Sequence, residues 1–126
     1  MKKPITLFSL TLSAALSPVY ALDITPYSPQ LFQAKQHAGE RVSLHFYAPW
    51  CPTCRAQEKI FKTFQGDASI PGTLLVADYD RERDLKREMS VRSQATLVVF
   101  QGKSQIVRSA GVTDPEQLRA ELTKPN

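Results

Sequence analysis

The chain has 126 residues, 42% of them hydrophobic and 22% charged, with a formal net charge of +4. That length fits one domain rather than two, and the composition is that of a packed globular protein, not a disordered one. Two cysteines are too few for the multi-bridge framework of a small secreted scaffold.

Lys2 and Lys3 open the chain, Ile5 to Leu16 is an uncharged run of apolar and small residues, and Val19-Tyr20-Ala21 follows. This is the plan of a secretory signal peptide cut after Ala21. The run is short of the ~20 residues a membrane-spanning helix needs, so an uncleaved anchor is the lesser reading. The expected division is a signal over residues 1–21 and one folded domain over residues 22–126. Without Lys2 and Lys3 the 16 basic residues fall to 14, against 12 acidic ones. So small an excess gives no basis for binding nucleic acid.

Ser28 and Pro29 form a helix start, Leu31, Phe32 and Ala34 supply its apolar surface, and Gly39 ends it. Arg41 to Tyr47 is expected to be a strand, with Val42, Leu44 and Phe46 alternating with Ser43 and His45. Pro49 and Pro52 bracket a turn, and a helix is expected from Cys51 towards Phe64, packing Ala56, Ile60, Phe61 and Phe64 inward. Gly66 to Gly72 reads as a loop and Thr73 to Ala77 as a strand covered on both faces. Asp80 to Met89 is expected to be a charged helix, Thr96 to Phe100 an apolar strand, and Gln101-Gly102-Lys103 the turn into a returning strand, Gln105 to Ser109. Thr113 to Glu116 is a candidate capping box for a last helix carrying Leu118, Ala120 and Leu122. Alternating strands and helices imply an α/β fold: a partly parallel sheet with helices on both faces and an antiparallel hairpin at its edge.

The two cysteines lie three apart, in Trp50-Cys51-Pro52-Thr53-Cys54. A bridge closing so short a loop constrains little of the unfolded chain, which favours a redox role over a stabilising one. Disulfide exchange needs a thiolate. A helix start aims backbone N–H groups and the positive end of the dipole at Cys51, which favours the anion there. Cys54, one turn further in, is placed to resolve the mixed disulfide, and Pro52 stiffens the turn. A structural zinc needs about four ligands, and only His37 and His45 remain to join the pair.

The strand Val42 to Tyr47, the segment Ala48-Pro49-Trp50-Cys51-Pro52-Thr53-Cys54, and the spacing onward to Asp78-Tyr79-Asp80, Thr96 to Phe100 and Gly111 resemble the thioredoxin superfamily. The likeness covers nearly all of residues 22–126. Trp50 to Ala56 looks like the site of periplasmic reductases of cytochrome c maturation. Size and spacing look more like plain thioredoxin, or like the C-terminal domain of the periplasmic disulfide reductase fed from the membrane. The resemblance implies a thioredoxin-like three-layer sandwich with a mixed central sheet. It also implies Cys51 as nucleophile, Cys54 as resolver and a redox-active Cys51–Cys54 disulfide with no cofactor. Trp50, Pro52, Gln94, Ala95 and Thr96 would flank a protein substrate.

Two positions depart from the family. His45 stands where the family has a buried acid, six residues before the first cysteine, and is the candidate proton acceptor for Cys54; the alternative is a hydrogen-bonded core histidine. Ala95 stands where the family has a cis-proline facing the cysteines. A cis bond before a non-proline residue costs ~2.5–4 kcal/mol, so the Gln94–Ala95 peptide is expected to be trans and the loop to differ.

The expectation is an exported, periplasmic, monomeric thiol–disulfide oxidoreductase. It would act on protein thiols and disulfides, exchange electrons with a membrane-bound partner and bind no nucleic acid. The alternatives are a redox-active module for one dedicated partner and a metal-binding thioredoxin-like dimer.

Overall fold

The computed structural model describes residues 2–5, 9 and 21–126. The apolar run expected to form the signal lies almost wholly outside the described residues. Nine elements follow in chain order: β1 (Asp23–Pro26), α1 (Pro29–His37), β2 (Arg41–Tyr47), α2 (Pro52–Phe64), β3 (Thr73–Asp78), α3 (Arg83–Glu88), β4 (Thr96–Gln101), β5 (Ser104–Ala110) and α4 (Pro115–Thr123). The strands make one mixed sheet in the order β1-β3-β2-β4-β5. β3 runs parallel to β1 and β2, while β4 is antiparallel to both β2 and β5.

Alternation along the central strands divides the core between the two faces of the sheet. Val42, Leu44 and Phe46 of β2 join Leu75, Val98 and Phe100 beneath Phe32 of α1 and Leu85 of α3. Leu74, Leu97 and Val99 point the other way, under Phe61 and Phe64 of α2 and Leu118 and Leu122 of α4. This is the expected sandwich, with β2 buried along nearly its whole length at the middle.

The structure corrects four local expectations. A first strand, β1, precedes the first helix; its four residues end in Pro26 and lie on the sheet edge, where a missing N–H costs no ladder bond. The third helix begins at Arg83 rather than Asp80, because the Asp78 carboxylate accepts from the N–H groups of Asp80 and Arg81 and holds a turn there. The last helix is capped by Asp114 rather than Thr113: its side chain accepts from Gln117 N–H. On α2, Phe61 and Phe64 are buried as expected, but Ala56 and Ile60 are only partly covered and Gln57 takes an inward position.

Candidate active site

The site lies where β2 ends and α2 begins. β2 delivers the chain to Ala48, and Cys51 N–H donates to the Ala48 carbonyl to close the turn. Cys51 is the N-cap of α2, in an extended conformation, with Pro52 as the first helical residue. In that place the Cys51 sulfur replaces the usual capping oxygen: Cys54 N–H donates to Cys51 Sγ at 3.1 Å. A helix-start N–H aimed at sulfur is the hydrogen bond a thiolate accepts.

Cys54 has the opposite surroundings. It is fully buried, and its thiol donates to the Phe46 carbonyl at 3.8 Å. Burial, reinforced by the hydrogen bond with Cys51, pushes the Cys54 thiol up to about 11. Both cysteines are free thiols here, packed with Ala48 and Ala95 and flanked by Tyr47 and Tyr79.

Trp50 and Pro52 stand on the exposed rim either side of Cys51. Trp50 is 56% exposed, an unusual place for the chain's one indole, and its Nε1–H donates to Asp80 Oδ2 at 2.8 Å. That bond fixes the ring beside the cysteine instead of leaving it to swing. The Asp78 turn therefore has a use: it sets Asp80 across from the site.

The segment before β4 passes on the other side of the cysteines. Every described peptide bond is trans, as expected for Gln94–Ala95. The turn is made instead by Ala95 in the left-handed region, at φ +62°. A non-glycine residue there costs roughly 1–2 kcal/mol, so its surroundings must hold it. Ala95 N–H donates to the Phe46 carbonyl at 2.9 Å, and the Ala95 carbonyl accepts from Gly111 N–H at 3.0 Å. The Phe46 carbonyl thus receives both Ala95 and the Cys54 thiol. Thr96 turns its hydroxyl back to the Ser93 carbonyl at 2.7 Å, while Gln94 is half-buried.

His45 is buried on the α2 side of the sheet, its ring edge-on to Phe61 at 4.9 Å. Burial lowers its pKa to about 4, against smaller upward effects of its Gln57 hydrogen bond and of Glu58. Its Nε2 is 2.8 Å from Gln57 Oε1. Gln57 is itself fully buried, and its Nε2 donates to the carbonyls of Ala95 at 3.1 Å and Val112 at 2.9 Å. Sequence reasoning missed Gln57. The available signal was its position, one turn after Cys54 and one before Phe61, which puts a lone amide within an inward-facing stripe. Among the described residues no cluster of three or more His, Cys, Asp or Glu side chains is placed to hold a metal ion.

This arrangement pairs one sulfur that faces a backbone donor with one held as a thiol beneath it, which is the asymmetry disulfide exchange needs. The family model described as Thioredoxin matches residues 23–124. The chain is 25% identical over 91 residues to a thioredoxin of Alicyclobacillus acidocaldarius, covering 72% of this chain and 87% of that one. It is 29% identical over 94 residues to protein disulfide isomerase-like 2-3 of Oryza sativa, covering 70% of this chain but only 21% of that relative's length. The crystal structure of Trxlp from Edwardsiella tarda superposes with a TM-score of 0.75 at 29% identity, over 81% of this chain and all of that one. With the fold, the placement of the two cysteines and a family match across nearly all of the described domain in agreement, the chain belongs to the thioredoxin family.

Proposed function

We propose that the chain is an exported thiol–disulfide oxidoreductase that reduces or exchanges disulfides in extracytoplasmic proteins, with Cys51 as nucleophile and Cys54 as resolver. The observation that carries this reading is the contrast between the two sulfurs. Cys51 caps a helix and accepts an N–H; Cys54 is buried and donates its proton to a carbonyl. In the reducing direction the Cys51 thiolate attacks a substrate disulfide. A Cys51–substrate disulfide forms and one substrate thiolate leaves. Cys54 then attacks Cys51 Sγ, the second substrate sulfur departs, and two electrons have passed to the substrate as Cys51 and Cys54 become a disulfide.

The sequence makes His45 a candidate acceptor for the Cys54 proton. Burial leaves His45 a weak base, with a pKa of about 4, so it is poorly suited to take and hold that proton. The proton is better placed on the departing substrate sulfur, which needs one to leave as a thiol. We therefore assign His45 a supporting role.

Trp50 and Pro52 are the substrate-facing rim, and the half-buried Gln94 directly precedes the Ala95 turn. A membrane-bound dithiol or disulfide partner would reset the pair, and the basic start followed by the apolar run supports export to a periplasm. A second reading, a module for one dedicated partner, is favoured by one feature. The Ala95 N–H and carbonyl are both occupied within the fold, so that residue offers a general substrate no backbone bond.

Insulin reduction in the presence of dithiothreitol tests the main reading. The wild-type protein is expected to accelerate it and Cys51→Ser to lower the rate roughly a thousandfold; equal rates for the two proteins would refute it. Export is tested by N-terminal sequencing of protein recovered from the periplasm, with Leu22 expected first. Partners trapped by Cys54→Ser separate the readings, since a broad mixture argues for a general enzyme and one protein for a dedicated module.

A further inference from the structure

The buried Gln57 amide sits at the crossing of four segments. It belongs to α2, bonds to His45 of β2, and bonds to the backbone of the loops on either side of the β4–β5 hairpin, at Ala95 and Val112. The side chain is fully buried, and its oxygen and both amide hydrogens are used. Its orientation is not free. Two backbone carbonyls face one end of the amide, and a carbonyl only accepts. Turning the amide over would set oxygen against both. The nitrogen therefore faces Ala95 and Val112, and the oxygen faces His45. An oxygen there only accepts, so the His45 nitrogen opposite it carries the hydrogen. His45 is the Nε2–H tautomer, with its lone pair on Nδ1.

The same amide supports the strained turn. Ala95 stands at φ +62° against the two cysteines, and Gln57 supplies a donor from a side chain to its carbonyl in addition to the backbone donor of Gly111. Gln57 lies one helical turn beyond Cys54, so the helix that positions the resolving cysteine also positions this donor. A polar group buried here is costly unless every bond is made, and all of them are.

We propose that Gln57 is a positioning residue: its amide locks the left-handed Ala95 turn against the cysteines and holds His45 as the Nε2–H tautomer. The proposal deepens the thiol-exchange reading and rests on it for its kinetic consequence. A substrate joined to Cys51 lies beside the Ala95 turn, so releasing the turn alters docking before it alters sulfur chemistry.

Nitrogen-resolved NMR of the wild-type protein is expected to show the His45 hydrogen on Nε2 and two slowly exchanging Gln57 amide hydrogens. Gln57→Met fills a similar volume without donor or acceptor and is expected to release the tautomer. Gln57→Glu keeps an acceptor for His45 but sets a carboxylate against two carbonyls, so it is expected to retain the tautomer and lose the turn. Both variants are expected to raise KM for a protein disulfide about tenfold, with kcat changed less than about twofold. A His45 hydrogen on Nδ1, or a wild-type KM in both variants, would overturn the proposal. Where a variant does not fold, the wild-type NMR result decides alone. A wild-type protein with no insulin reductase activity would overturn the thiol-exchange reading instead, and the tautomer and amide exchange would still decide whether Gln57 holds His45.

Discussion

The two faces of the sheet are built differently. On the side of α1 and α3 the buried strand positions are mostly apolar, Val42, Leu44, Phe46, Leu75, Val98 and Phe100, with Thr73 and Thr96 at the strand starts. On the side of α2 and α4 the sheet also carries Ser43 and His45, and α2 adds Gln57. Both faces are equally dry, so the difference is not one of exposure. It lies in how the polar groups are met: among the described residues no buried side-chain nitrogen or oxygen lacks a partner. The α1 and α3 face is stabilised mainly by burial. The other face holds a short polar chain that ends on the backbone beside the cysteines. Both sides of the sheet thus carry apolar core, while the polar chain that shapes the site belongs to one of them.

Mutations should separate the two. The largest stability effect is expected on the apolar face. Phe46→Ala should cost about 3–5 kcal/mol in urea unfolding, from lost burial and the cavity left behind. A cost below about 1 kcal/mol would mean that this face contributes little to stability.

The next effect belongs to the polar face and depends on pH. The His45 pKa lies near 4 in the fold, below its ordinary 6.5. The unfolded chain therefore binds a proton at pH values where the folded chain does not. The stability due to excluding that proton is fully present above pH 6.5 and is lost as pH falls from about 6.5 to about 4. Its size is roughly 3 kcal/mol, from the depression of the His45 pKa. Unfolding curves between pH 4 and 7 should show this slope in the wild-type protein. His45→Leu should remove most of it, and at pH 7 should itself cost about 1–3 kcal/mol, because Gln57 Oε1 is left without a donor. A slope unchanged in His45→Leu would assign the pH dependence elsewhere. The Asp67 carboxylate, held near 2 by Ser69 and then Arg119, titrates below this window.

The smallest effects should be alike on the two faces. Ser28 caps α1 by accepting from Leu31 N–H, and Asp114 caps α4 by accepting from Gln117 N–H. Ser28→Ala and Asp114→Ala should each cost about 1 kcal/mol in the same unfolding assay. A large difference between them would show that the faces differ in helix support as well as in core chemistry.

The apolar face was the more legible in the sequence, and the reason is periodicity. Val42, Leu44 and Phe46 alternate, and Thr96 to Phe100 is a nearly unbroken apolar run, so β2 and β4 stand out. β1 did not, because four residues ending in proline carry too short a pattern. The site was legible in part. Cys51 at a helix start follows from Pro52 and the stripe after it, and the trans peptide at Ala95 follows from the absence of proline. The left-handed Ala95 does not follow, since nothing in alanine itself favours positive φ; the bonds from Phe46, Gly111 and Gln57 impose it. Gln57 was hidden for a similar reason. A glutamine on a helix is ordinarily solvated, and only tertiary placement shows three hydrogen-bond partners around it.

The two sulfurs differ in chemistry: Cys51 accepts a helix-start N–H, while Cys54 is a buried thiol donor. That difference is measured by timing mixed-disulfide formation of Cys54→Ser and Cys51→Ser with one protein disulfide and mapping the adducts by mass spectrometry. Rapid capture is expected on Cys51 in Cys54→Ser and almost none on Cys54 in Cys51→Ser. Equal capture on either cysteine would contradict it.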